Sequence, residues 1–521
     1  MAAALDCIVI GGGHNGLVCA AYLARQGRKV LVLEAADRLG GAAATRAFAP
    51  GFSVSACAHL LHLMPRAIID ELDLGKHGLS LAASAMPTTA LGLDGEHLLV
   101  GASGLVSLAA HSAADAAAYP AFAARLERFA RSLGPVLGMT PPRLGADSWS
   151  DRAGLLRLGW QVRKLGRADL RELLRIVGMN VYDLLDDHFE SALIKGALGF
   201  DAVLGANFGP RSPGTVLTWL YRLAAESGVG ASALAQPKGG MGALSNAVAG
   251  AARAGGTEIR TGVAVSRILV ESDRAVGVVL ESGEIIRAGT VISNADPRTT
   301  FLDLLGVENL DTGFVRRVSH FRNRGLAAKL HLALDGLPDF VGLDSSALGG
   351  RLLVAPSLDH IERAYNASKY GEFSEAPALE ITAPTVNDSE LAPSGKHVLS
   401  IIVQYAPYAL AMGWDQGRGR LTDRVVATLE QYAPGIRRQI VASELLSPPD
   451  IEREFRISGG HWHHGDLAFD QFLMVRPVPG AAQYKAPVEG LFLCGAGSHP
   501  GGGVMGTAGR NAARQVLAVA A

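Results

Sequence analysis

An α/β fold, with a Rossmann-like nucleotide-binding core and a second, discontinuous α+β region set over it as a cap, is what the sequence predicts. Three observations predict it: a strand, glycine turn, helix and second strand ending in an acid over residues 5–34; a series of short β runs from 258 to 293; and a glycine-rich bend opening a last helix at 495–506. The same segments place residues 1–75, 236–300 and 482–521 in the nucleotide-binding domain. Residues 76–235 and 301–481 fall to the cap, with 100–232 mainly helical.

The opening strand is Leu5-Asp6-Cys7-Ile8-Val9-Ile10, and it runs at once into Gly11-Gly12-Gly13-His14-Asn15-Gly16. Gly11 permits the turn, Gly13 lets a pyrophosphate approach the backbone, and Gly16 lets the helix lie close to the sheet. His14 and Asn15 then fall in the first helical turn, whose free N–H groups and positive dipole end attract phosphate. Lys29–Leu33 is a short apolar run of the kind that forms a buried parallel strand. Glu34 follows it, 18 residues past Gly16 and with Ala35 beside it, close to the roughly 20 residues expected of an acid that accepts hydrogen bonds from an adenosine ribose. The doublet Gly40-Gly41, followed by Ala42 and Ala43, is a second glycine turn shortly past that acid. A nicotinamide fold does not require one, whereas a flavin dinucleotide fold uses it against the pyrophosphate and ribityl chain. The doublet therefore favours FAD over NAD, an ordinary turn being the plainer alternative.

From about Leu91 to Ser232 the periodicity is helical, most clearly over Ala117–Leu133 and Leu170–Leu185. Within it, 151–178 carries seven basic residues against three acidic ones, interleaved with leucines and Trp160. Such a stretch suits an anionic membrane surface, although a solvated outer face of the cap is the simpler account. Pro237-Lys238-Gly239-Gly240-Met241-Gly242 introduces a helix running through Arg253, with Lys238 read as a loop residue. Then come β runs at 258–261, 263–270, 275–280, 284–287 and 290–293, a β-meander returning to the parallel sheet. Asn294 opens the loop after the last run, where a ligand-facing segment belongs in an open α/β sheet. Strand-like runs at 327–334, 378–381 and 397–405 mark the second cap segment. Gly490–Cys494 is the closing strand, leading through Gly495-Ala496-Gly497 to a helix over 507–520.

Composition narrows the function. Of 521 residues, 49% are hydrophobic and 19% charged, and 48 Lys and Arg oppose 49 Asp and Glu, so no global positive field exists to gather nucleic acid. A small apolar molecule is the expected partner, with peripheral membrane contact at most. The four cysteines form no C-x-x-C pair and read as small buried residues of a reducing compartment. No signal segment precedes the first strand, and no uninterrupted apolar run reaches the roughly 18 residues of a spanning helix, so a cytoplasmic protein is expected, soluble or peripherally membrane-associated.

Gly13-His14-Asn15-Gly16-Leu17-Val18, Gly40-Gly41-Ala42-Ala43, Pro237–Gly242, Gly459-Gly460 with His463-His464-Gly465, and His499-Pro500-Gly501-Gly502-Gly503-Val504-Met505-Gly506 together span nearly the whole chain. In these motifs it resembles the phytoene desaturase and carotenoid oxidoreductase superfamily of flavoproteins, especially its pyridine nucleotide-disulfide oxidoreductase domain-containing branch. The resemblance implies an FAD-binding domain of glutathione reductase type. It implies Glu34 on the adenosine ribose, the backbone of Val265 against adenine, Gly41 to Ala43 flanking the pyrophosphate and ribityl chain, and Gly503, Val504 and Met505 placing a helix N-terminus near the flavin pyrimidine edge. Many such flavoproteins carry Arg after the glycine doublet, where this chain has Ala42, so a pyrophosphate contact is missing or replaced. Disulfide reduction needs a redox cysteine pair and a second dinucleotide fold, and the sequence has neither. Hydride transfer between flavin and an apolar, isoprenoid, carotenoid-like or lipid-like substrate is the reaction expected. Flavin amine oxidation is the rival, although those enzymes close their last strand on Gly-Glu rather than Gly495-Ala496-Gly497. A flavoprotein with a mainly regulatory or interaction role is the third reading. His463 and His464 are the candidate catalytic residues, as neutral imidazoles able to take a proton near pH 7. A satisfied structural pair is the equal alternative. His59 and His62 are weaker candidates, expected to be core-facing or surface residues.

Overall fold

The computed structural model describes residues 5–143, 148–226 and 234–519. The expected end of the helical stretch at 227–232 and the last residue of the closing helix, Ala520, lie outside the described residues.

Among the described residues the first sheet has seven strands, five of them parallel in the order Glu258–Arg260, Val30–Leu33, Leu5–Ile10, Ile285–Ser293, Leu491–Leu493. The opening strand sits centrally, Val9 lying between Val32 and Ile292. Both faces are covered, as continuous apolar strands require. Cys7, Val9, Val30 and Val32 pack under the helices His14–Arg25, Met241–Ala254 and Thr507–Val519. Ile8, Ile10, Leu31 and Leu33 meet Phe301, Phe314 and the meander residues Ile268 and Val278 on the other side. Val265–Glu271, Arg274–Leu280 and Ile285–Ser293 form that antiparallel meander. The runs expected separately at 284–287 and 290–293 are one strand. Ala288 and Gly289 are weak strand formers and read as a break, but ladders with Arg274–Leu280 at one end and Leu5–Ile10 at the other carry the extended backbone through.

A second sheet runs Ile440–Leu446, Ala327–Leu334, His397–Gln404, Leu379–Thr382, Arg351–Val354, Thr88–Ala90, Leu98–Val100. The hairpin 88–100 comes from the earlier cap segment and lies parallel to Arg351–Val354, so two distant stretches of chain share one sheet. Its faces differ sharply. Leu330, Leu332, Leu352, Ile381, Leu399 and Ile401 form an apolar face under the helix Trp414–Tyr432. The alternate positions Lys329, His331, Arg351, Glu380, Thr382, Ser400 and Gln404 are polar and equally buried. The strand period of two is kept, but the polar face looks inward rather than to water.

Helices Ala113–Leu137, Trp149–Arg163, Gly166–Ile176, Val181–Asp186, Ala192–Val203 and Thr215–Glu226 make the helical part of the cap. The single periodic segment expected at 170–185 is two helices. Gly178 lies between them, and the Asn180 side chain caps the second by accepting from Asp183 N–H at 2.8 Å, a break that apolar spacing does not register. Among the described residues no helix is long and apolar enough to cross a membrane.

Candidate functional site

The loops that leave the carboxyl ends of the parallel strands converge, which is where an open α/β sheet receives its ligand. Gly11–Gly16 follows the first strand, Glu34 the second, Asn294 the meander and Gly495 the closing strand. At Gly16 a Cβ would lie 2.3 Å from the Gly11 carbonyl oxygen, so only glycine lets the helix start this close to the turn. The second glycine turn is laid alongside the first, Gly40 N–H donating to the Gly12 carbonyl at 2.9 Å. Ala43 N–H closes that turn on the Gly40 carbonyl, and Ala42 accepts from Ala58 N–H. Glu34 is fully engaged: Oε2 accepts from Gly12 N–H at 2.6 Å and Oε1 from Ala36 N–H at 2.8 Å, across Ala35. Its backbone carbonyl accepts from Val263 N–H at 2.9 Å, which brings the strand beginning at Val265 beside it. Asn294 lies on Gly13 and against Gly495.

The C-terminal glycine bend closes on this assembly from the far end of the chain. His14 Nε2 donates to the Gly503 carbonyl at 3.1 Å, and Tyr221 Oη donates to the Gly502 carbonyl at 2.8 Å, with Val504 and Met505 buried behind. His463 lies over Gly502, where a Cβ would fall 2.3 Å from its Nδ1. Among the described residues the buried Nδ1 atoms of His463 and His464 and the Oδ1 of Asn15 have no hydrogen-bond partner. Burial, together with His464 nearby, pushes the His14 pKa down to about 4; burial likewise pushes His464 to about 4 and His463 well below the usual range. These imidazoles are neutral at pH 7, as expected, but weaker bases than a proton acceptor working there needs. The satisfied structural histidine of the motif is His461, whose Nε2 donates to Asp466 at 3.0 Å while Nδ1 accepts from His463 N–H.

These residues fit FAD. The helix His14–Arg25 begins at Gly13 with no side-chain cap, leaving its first N–H groups for a pyrophosphate. The orphaned Asn15 and His464 atoms give polar partners where the two glycine bends meet.

Several residues of the site were not foreseen. Arg476, fully buried, donates from Nη1 to the Asp466 and Gln471 carbonyls at 2.8 and 3.1 Å. From Nη2 it donates to His463, Gly465 and Ala496 at 2.9, 3.3 and 3.0 Å, so one guanidinium pins the His463-His464 loop to the C-terminal bend. On the polar sheet face, Arg351 donates to Asp201 at 2.6 Å and to Glu380, and Glu380 accepts from His59 Nε2 at 2.7 Å. His59 Nδ1 then accepts from Lys329 Nζ at 2.6 Å, which fixes its tautomer. Burial pushes Lys329 down to about 7 and His59 to about 4. His62 is pushed to about 3 by burial, with the Arg222 charge adding to it. Lys238 is an exposed loop residue paired with Glu390 at 3.2 Å. The available signal for the buried set was a lone charge inside an apolar strand, as at Lys329 and Glu380.

One cavity adjoins the C-terminal bend and a second lies beyond it. An inner one of about 40 Å³ is lined by Leu63, Leu204, Tyr221, Arg222, His463 and Gly502. An outer one of about 280 Å³, lined by Phe208, Pro213, Gly214, Phe469 and the Arg322–Asp470 pair, shares Leu467 with it.

A profile of the flavin-containing amine oxidoreductases matches residues 16–517. The chain is 37% identical to the pyridine nucleotide-disulfide oxidoreductase domain-containing protein 2 of Mus musculus over 98% of this chain and 93% of that one. It is 26% identical to the lycopene-forming phytoene desaturase of Pantoea ananas over 96% of each. In fold it is similar to an oxidoreductase from Methanosarcina mazei (TM-score 0.60, 20% identity, 99% of this chain and 100% of that one). It is also similar to the cyclohexylamine oxidase of Brevibacterium oxydans (TM-score 0.57, 15% identity, 99% of each).

Proposed function

The chain belongs to the flavin-containing amine oxidoreductase family and uses FAD, and on that premise we propose that it transfers a hydride between the flavin and a carbon of an apolar, isoprenoid-like or lipid-like substrate, in a desaturation or saturation. The observation that carries the reading is the junction at Gly502, where the C-terminal bend meets an inner cavity that shares Leu467 with an outer one lined by Phe208, Pro213 and Phe469. Bound FAD supplies the two-electron chemistry. Glu34, with the turn Gly11–Gly16 and the doublet Gly40-Gly41, holds the adenosine and pyrophosphate end. Leu63, Leu204 and Leu467 exclude water and orient an apolar chain. His463 and His464 stay uncharged beside it, which suits a substrate that brings no charge of its own.

Anaerobic titration of the FAD-loaded protein with isoprenoid hydrocarbons, isoprenoid alcohols and unsaturated lipids tests this: one class is expected to bleach the flavin absorbance. Amine oxidation is the second reading, favoured by the family and by the cyclohexylamine oxidase-like fold. Against it, Asp201, among the described residues the one carboxylate lining the inner cavity, is held by Arg351 at 2.6 Å with Arg222 at 3.6 Å, so it is not available to an ammonium group. Bleaching by an amine panel with peroxide release, and by none of the apolar compounds, would replace the first reading with the second.

A further inference from the structure

We propose that the outer face of the cap helices Trp149–Arg163 and Gly166–Ile176 docks the protein on an anionic membrane surface. The surface of a globular protein rarely carries indoles in the open, yet Trp149 is 81% exposed and Trp160 60%, with Leu156 at 75% between them. Their spacing of seven and four residues puts all three on one stripe of a helix. On the next helix Leu174, 66% exposed, adds a fourth large apolar side chain.

The charges around the stripe complete the argument. Arg157, Arg163, Lys164, Arg167 and Arg171 are exposed, and among the described residues none of them makes an ion pair. The acids of the same stretch are turned to other work. Asp151 accepts from Arg143 N–H at 2.9 Å and from Gln483, Asp169 pairs with Arg128 at 2.8 Å, and Glu172 pairs with Arg175 at 2.8 Å. The outward face therefore presents cations without compensating carboxylates, around side chains that prefer the headgroup boundary. Tryptophan places an apolar body and one N–H there, and arginine carries an apolar stem under a charge that meets lipid phosphate. A protein partner would need acids set at matching positions, whereas an anionic bilayer supplies them everywhere. The same segment leads to the outer cavity: Gly214, which lines it, donates to the Gly178 carbonyl at 3.2 Å, two residues beyond the second helix. The docking stands on the surface alone and does not depend on the reaction proposed above.

The test is cosedimentation of the full-length, FAD-loaded protein with vesicles of phosphatidylcholine alone or with roughly 30 mol% phosphatidylserine, in about 0.1 M salt. Binding to the anionic vesicles only, lost on raising the salt and accompanied by a blue shift of tryptophan emission, is the expected result. The double variants Trp149→Ser/Trp160→Ser and Arg163→Glu/Arg167→Glu should each bind about tenfold less or weaker still, with the melting temperature and flavin content unchanged. Failure of the native protein to bind anionic vesicles, or equal binding by both folded variants, overturns the proposal. So does a self-association of the native protein, seen in sedimentation velocity without lipid, that both variants abolish, because the face would then belong to a second copy.

Discussion

Glu34 and Arg476 are the two side chains on which most of the site's geometry hangs. Glu34 accepts one N–H from each side, Gly12 before it in space and Ala36 after it in sequence, so its carboxylate fixes the glycine turn. In Glu34→Gln the amide must turn a donor toward one of those N–H groups. Flavin-fluorescence titration is expected to show FAD binding about tenfold weaker, the cost of one charge-assisted hydrogen bond. Arg476 reaches five carbonyls from two nitrogens, four N–H groups being shared among them. Arg476→Met removes that donor, with Gln471 Nε2 still reaching the Asp466 carbonyl, at a cost of at least about 3 kcal/mol, and frees the loop carrying His463 and His464. Denaturant melts and flavin retention are both expected to fall, with Arg476→Lys intermediate because an ammonium can serve only some of the five.

The elements legible in the sequence are those whose signal is local. The glycine turn, the strands on either side of the first helix and Glu34 at the end of the second strand lie within thirty-odd consecutive residues, and the elements form where the local signal puts them. The polar face of the second sheet was not legible. Lys329, Glu380 and Arg351 each look like a lone charge in an apolar strand, and only the pairing of strands far apart in the chain makes one network of them. The break at Gly178 was missed for a related reason: apolar spacing continues across it while the backbone does not. Contact between the first and last helices is also invisible in sequence, yet it is close enough to test. At Gly509 a Cβ would stand 2.0 Å from the Asn15 carbonyl oxygen, a backbone atom that cannot move aside alone. Gly509→Ala is expected to cost about 1–3 kcal/mol and to loosen FAD, read as a lower melting temperature and paler purified protein.

Across the whole molecule, burial of imidazoles makes stability depend on pH. His14, His59, His464 and His499 are each lowered from 6.5 to about 4, burial being the largest cause. Between those values the unfolded chain binds protons that the folded one refuses, so stability is full above pH 6.5 and is lost as pH falls toward 4. A group displaced that far contributes on the order of 3 kcal/mol. Lys329, lowered from 10.5 to about 7, extends the rise on the alkaline side. The thiols of Cys7 and Cys57, raised from 9 to about 12, reverse it above pH 9. Melting temperatures measured from pH 4.5 to 9.5 should climb steeply to 6.5, more gently to about 9, and then turn down. The same molecule closes distant parts of its chain on one another. His14 and Gly503, 489 residues apart, meet through one hydrogen bond, so neither glycine bend has its closing partner until both are in place. Retention of the cofactor therefore reports on two distant segments at once, and loosening either bend should release it.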